Sequence, residues 1–98
     1  MLTHHVLFWL KPETTDVQKA AFRKGLESLR EVETVEELYV GTPAPITRAV
    51  VDSSYTFSLN IVFNDLAAHD VYQVHTLHKT FLEEFKVYFD RVVIYDAI

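Results

Sequence analysis

Tyr72, His75 and His78 stand three residues apart in the stretch Tyr72-Gln73-Val74-His75-Thr76-Leu77-His78. On a helix that spacing sets side chains on neighbouring parts of one surface. All three can donate or accept a proton. Counted at about 100° per residue, Val71, Val74, His78, Phe81, Leu82, Phe85 and Phe89 crowd into one apolar sector. His78 falls near its middle, with Tyr72 and His75 on one flank. This count holds for an unbroken helix, and a bend near Thr76 would shift Tyr72 relative to His78. A histidine in apolar surroundings must find a partner, stay neutral or do chemistry.

His4 is a second histidine out of place. Its neighbours on one face of an alternating segment are Leu2, Val6 and Phe8. If the second helix packs over the first strand, His4 and His78 approach each other across the helix–sheet interface, with Tyr72 near the mouth of the same space. Two imidazoles and a phenol around an apolar cavity suit general acid–base chemistry. Imidazole titrates near neutral pH, and a phenol can donate to a developing oxyanion. For either ring alone, the plain alternative is a core histidine bonded to a backbone carbonyl.

The remaining histidines read differently. His75 is expected at the cavity edge, bonding loop backbone. His5 points to the opposite sheet face and is expected at a dimer interface, while His69 reads as a solvated helix residue. His75 and His78 have a ligand-like spacing, but there is no H-E-x-x-H pattern and no compact third ligand. No resident metal or other cofactor is expected. No Gly-rich phosphate loop is present, and Glu83-Glu84 belongs to an exposed helix face.

The elements that must position these groups follow from periodicity. Residues 2–10 alternate as a strand that Pro12 and Glu13 end. Thr15 and Gln18 form a capping box. The helix behind it runs to about residue 31, with Phe22, Leu26 and Leu29 as its buried line. A second strand covers 35–41, with Leu38 and Val40 opposite Tyr39. Gly41-Thr42-Pro43-Ala44-Pro45 breaks regular structure, and a loop continues to Ser54. The third strand, 55–63, sets Phe57, Leu59, Ile61 and Phe63 against Thr56, Ser58, Asn60 and Val62. Asn64 or Asp65 caps a second helical region reaching about Phe89, and residues 91–96 form the last strand.

The order β-α-β-β-α-β predicts an α+β, ferredoxin-like fold. Both helices then cover one face of a four-stranded antiparallel sheet. Leu7, Trp9, Tyr39 and Val62 fall on the other face. Apolar area left wet there costs about 25 cal/mol per Å², and such a patch usually marks an interface. A homodimer pairing sheet against sheet is expected.

Composition narrows the function classes. Ninety-eight residues, 49% of them hydrophobic, make a single domain with a packed core. There is no cysteine, hence no disulfide frame and no thiolate chemistry. The net charge is −5 and the basic residues are scattered, which argues against nucleic-acid binding. The first ten residues have no basic leader and no cleavage site, and their apolar run is too short to span a bilayer. A cytoplasmic protein without membrane contact is expected.

Three segments resemble the stress-responsive alpha/beta-barrel (Dabb) family. His4-His5-Val6-Leu7-Phe8-Trp9-Leu10-Lys11 resembles its H-x-V-L-F-K-x-K start. Tyr72-x-x-His75-Thr76-x-His78-x-x-Phe81 is similar to its Y-x-x-H-P-x-H-x-x-F element, and Val92-Val93-Ile94-Tyr95-Asp96 to its closing V-x-D strand. Thr76 replaces the usual proline, Trp9 a lysine and His5 an aliphatic. The resemblance implies a ferredoxin-like subunit whose sheets pair into a dimeric barrel. Its best-understood enzyme, olivetolic acid cyclase, closes a poly-β-keto chain by aldol condensation without a cofactor, and its functional positions resemble His4, Tyr72 and His78.

Two functions are therefore expected in turn. The first is a cofactor-free cyclase, isomerase or lyase acting on a small apolar carbonyl compound. His78 is its base, Tyr72 stabilises the enolate oxygen and His4 orients one of them. Val6, Phe8, Phe22, Leu26, Leu38, Phe57, Leu59 and Phe81 are expected to line its substrate pocket. The second is a non-enzymatic, stress-associated or small-ligand-binding dimer whose histidines are structural.

Overall fold

The computed structural model describes residues 1–98. Strand β1 (Leu2–Leu10) alternates strictly between buried and half-buried side chains. Helix α1 (Asp16–Ser28) starts at the predicted capping box, where Thr15 and Gln18 satisfy each other's backbone N–H groups. It passes into a 3-10 turn over Leu29–Glu31. Strand β2 (Val35–Gly41) and strand β3 (Phe57–Phe63) follow, joined by the long 42–56 connection. Thr56 still serves the sheet beyond the end of β3: its N–H donates to the Phe8 carbonyl and its hydroxyl accepts from Leu10 N–H.

The second helical region is two helices. Helix α2 (Leu66–Gln73) begins at Asp65, whose carboxylate accepts the Ala68 N–H. Helix α3 (Thr76–Phe85) begins at His75 and ends in a 3-10 turn over Lys86–Tyr88. Strand β4 (Phe89–Ala97) closes the chain. The expected continuous apolar sector therefore fails at three places. Val71 is 42% exposed and Val74 68% exposed, because the break resets the helical phase. Phe89 is not on a helix at all but opens β4.

All strand pairs are antiparallel, and the spatial order is β2-β3-β1-β4. This is the ferredoxin-like arrangement. The helices cover the face carrying His4, Val6, Phe8, Leu59, Ile61 and Phe63. Packed rings dominate the core there: Phe22 stacks on Phe57 and meets Phe8, Phe81 and Phe85 edge-on. Each such side chain contributes about 1.5–3 kcal/mol by its burial. No helix is long and apolar enough to cross a membrane.

The opposite face carries Leu7, Trp9 and Val62 half-buried, with Tyr39 exposed. Trp9 is held in place there. Its indole N–H donates to Ser54 Oγ, and the Arg91 guanidinium lies 4.5 Å from its ring centre. His5 also sits on this face, 2.9 Å from Ser58 Oγ.

Gly25 sets how closely α1 approaches α3. A Cβ there would collide with the Phe85 ring. That ring is buried against Phe22, Phe81 and Tyr88 and has nowhere to retreat. Gly25→Ala gains about 1 kcal/mol of helix propensity, yet overpacking costs about 1–3 kcal/mol. We expect a net loss, read as a Tm lowered by several degrees at about 4–8 °C per kcal/mol. Gly41→Ala, which meets nothing within 4 Å, is the control; an unchanged Tm in Gly25→Ala would refute the packing account.

Candidate functional site

The break between α2 and α3 builds the site. Val74 leaves helical geometry, and His75 is extended at φ −68°, ψ 145°. The His75 imidazole then acts as the N-cap of α3: its Nδ1 accepts the Leu77 N–H at 3.0 Å, and its Nε2 lies 3.2 Å from Glu33. His75 thus bonds the first turn of its own helix and a carboxylate next to β2, rather than a loop backbone.

With the phase reset, Tyr72 turns inward and is 1% exposed. Its ring meets the His78 ring edge-on with centroids 4.8 Å apart. The Tyr72 and His4 rings lie 5.9 Å apart. The structure therefore brings His4, Tyr72 and His78 together, with Tyr72 at the centre of the set rather than at its mouth.

His4 is buried and holds a specific partner. The antiparallel register sets it opposite Asp96 of β4, and its Nδ1 lies 2.5 Å from Asp96 Oδ1. Burial lowers the His4 pKa, and the Asp96 hydrogen bond and charge oppose that shift without cancelling it. The ring is therefore neutral near pH 7, and its Nδ1–H donates to the carboxylate. His78 is also shifted down, first by burial and then by the nearby His4, with the Gln73 carbonyl opposing. Its Nδ1 is the one buried side-chain polar atom without a hydrogen-bond partner. Burial alone pushes the Tyr72 hydroxyl far above the usual phenol value, so it stays protonated. The set thus holds a neutral base beside a protonated donor.

These groups border a cavity of about 260 Å³. Its walls include the expected Val6, Phe8, Leu59 and Phe81. Phe22, Leu26, Leu38 and Phe57 do not reach it; they are spent on packing α1 and β2 against the sheet. Their places are taken by Leu29, Gln73, Leu82, Phe89, Val92 and Ile94. Val92 and Ile94 share the helix-side face with Phe8 and Val6, but no helix covers β4, and Ile94 is 51% exposed. The cavity opens along that uncovered edge.

Two residues were missed. Asp96 was legible in principle, since the ferredoxin order pairs β1 with β4, but its register with His4 cannot be counted from either strand alone. His69 reads as solvated on the helix, yet its ring centre lies 5.1 Å from that of His4 and its side chain is mostly buried. It faces inward for the same reason as Tyr72, three residues later on α2. Its Nδ1 lies 3.2 Å from Asp70, and Gln73 Nε2 lies 3.1 Å from its Nε2.

Solved structures share this architecture. A protein from Arabidopsis thaliana is 20% identical, covering 100% of this chain and 94% of that one, at TM-score 0.85. Hydroxynitrile lyase from Passiflora edulis is 19% identical, covering 99% and 91%, at TM-score 0.82. A dimeric ferredoxin-like protein from Thermobifida fusca is 16% identical, covering 98% and 88%, at TM-score 0.80. No curated protein matches the chain. The family model described as the stress responsive A/B barrel domain matches residues 2–98, and the chain belongs to that family, Dabb.

Proposed function

We propose that this protein is a homodimeric barrel whose cavity performs acid–base chemistry on a small apolar carbonyl compound, without a cofactor in the proton-transfer step. The observation that carries the reading is the neutral His78 ring against the protonated Tyr72 phenol on an apolar cavity. At about 260 Å³ the cavity falls just below the usual ligand range of about 300–1,000 Å³. A compact substrate suits it better than a long chain.

The chemistry is enolisation. The His78 imidazole takes a proton from a carbon beside the carbonyl. The C–H electron pair moves to form the enolate, and the Tyr72 hydroxyl donates a hydrogen bond to its oxygen. Returning the proton elsewhere gives isomerisation; attack on a second carbonyl gives aldol cyclisation, and expulsion of a leaving group gives lyase chemistry. His4, fixed by Asp96, packs edge-on against the Tyr72 ring and is a positioning residue in this scheme. A hydroxynitrile lyase has the same fold, which supports acid–base lyase chemistry, there with the proton taken from a hydroxyl, as an alternative use of the same base.

Small β-keto compounds in deuterated buffer test the first step directly, because proton exchange at the acidic carbon can be followed by NMR. His78→Ala should slow enzyme-dependent exchange by about 10²–10⁴-fold, and Tyr72→Phe by about 10²–10³-fold. Exchange at the parent rate in His78→Ala would remove the base from the mechanism.

The pH profile has a defined shape. The base is active when deprotonated, and its pKa lies below the ordinary 6.5. The rate therefore rises with pH along a limb centred below 6.5, then stays flat, because the Tyr72 donor titrates above the ordinary phenol value of 10.0. A limb centred above 7 would contradict the desolvated base.

The dimer supplies a further prediction. Dimeric relatives of this fold and the half-buried Leu7, Trp9 and Val62 support pairing through the open sheet face. Leu7→Arg should shift the mass measured by light scattering from two chains to one. An unchanged mass would move the interface elsewhere.

A further inference from the structure

We propose that His4, His69 and Asp96 form a binding site for a first-row transition-metal cation of the zinc class, at the edge of the cavity. Each residue offers one ring nitrogen or carboxylate oxygen, and the three donor atoms lie within 4.8 Å of one another. They come from three elements, β1, α2 and β4, so the cluster is a product of tertiary packing and not of sequence spacing. Two imidazoles and one carboxylate favour zinc, copper, nickel or iron over magnesium and calcium, which take oxygen ligands.

The local bonds already resemble those of a loaded site. His4 Nδ1 and Asp96 Oδ1 converge on one shared proton. A cation takes that proton's place: the N–H bond breaks, the proton leaves to solvent, and nitrogen and oxygen each bond the metal at about 2.0–2.2 Å. His69 directs its Nδ1–H toward the Asp70 carboxylate. Carboxylate partners of this kind orient zinc-bound imidazoles from outside the ligand shell. Its Nε2 exchanges the Gln73 amide for the metal. Three protein ligands leave a fourth position open, and His4 lines the cavity, which gives that position access to a small anion or carbonyl.

The proposal does not rest on the enolisation reading, since Tyr72 and His78 are not ligands. The test titrates the full chain, freed of any affinity tag, with Zn²⁺ by calorimetry and with Co²⁺ by visible absorption. One ion per chain is expected. His69→Ala and Asp96→Asn should each weaken binding at least about tenfold, with unchanged far-UV circular dichroism. Tyr72→Phe keeps the ring packed against His4 and should bind as the parent does, which separates this site from the Tyr72–His78 pair. Parent affinity no tighter than that of the His69→Ala/Asp96→Asn double variant would overturn the site. So would parent-like affinity in both His69→Ala and Asp96→Asn, since the ion would then be held elsewhere.

Discussion

On an unbroken helix Tyr72 and His78 would face directions roughly 120° apart at about 100° per residue, and stand about 9 Å apart along the axis at 1.5 Å per residue. Their rings are instead 4.8 Å apart between centroids. The difference is the break at Val74 and His75, and it is held from both sides. The imidazole of His75 satisfies an N-terminal N–H of α3 that would otherwise lack a partner, while its other nitrogen lies against Glu33. Without this cap α3 would lose the fixed starting point that aims His78 at Tyr72. A polar side chain outside the cavity therefore sets the geometry inside it.

The electrostatics follow from burial. Two imidazoles sharing one apolar space cannot both hold a proton cheaply, because desolvation disfavours each charge and each charge disfavours the other. The shifts on His4 and His78 both point down, with burial first among the causes. Yet the two rings are not equivalent. His4 has a carboxylate that fixes its tautomer and its plane. His78 has only an unpaired Nδ1 and the weak help of the Gln73 carbonyl. The ring with the fixed partner is suited to holding its neighbours in place. The ring without one retains the freedom to accept a proton.

The strands were legible because their period is two and one face is buried. β1 and β3 alternate in sequence as they do in space, and the Thr15–Gln18 cap appears where its chemistry requires. The family resemblance was equally legible, since its motifs span the chain. The helix break was legible only as a bend near Thr76 on which the count depends, because Val74-His75-Thr76 contains neither glycine nor proline, and an imidazole is an unusual N-cap. The break takes Val71 and Val74 out of the apolar sector and turns His69 inward, whereas Phe89 leaves the sector because α3 ends at Phe85. The cavity wall was misread for a different reason. Phe22, Leu26, Leu38 and Phe57 are apolar and inward-facing, as the wall residues are. Periodicity separates inside from outside but does not separate packed interior from cavity lining.

That separation depends on which strands the helices cover. α1 packs beside β2 and α3, so the β2–β3 half of the sheet is filled by rings in mutual contact. β1 lies at the boundary, buried at every second residue. β4 lies past it, at the sheet edge, with Val92 and Ile94 exposed on the helix side. Apolar residues on an edge strand are usually a hazard. Here they extend the cavity wall beyond the reach of the helices, and the same strand delivers Asp96 to His4. Covering β4 with a longer helix would close the cavity and improve the core. Leaving it bare sacrifices packing at the edge and keeps the cavity open beside His4 and His78.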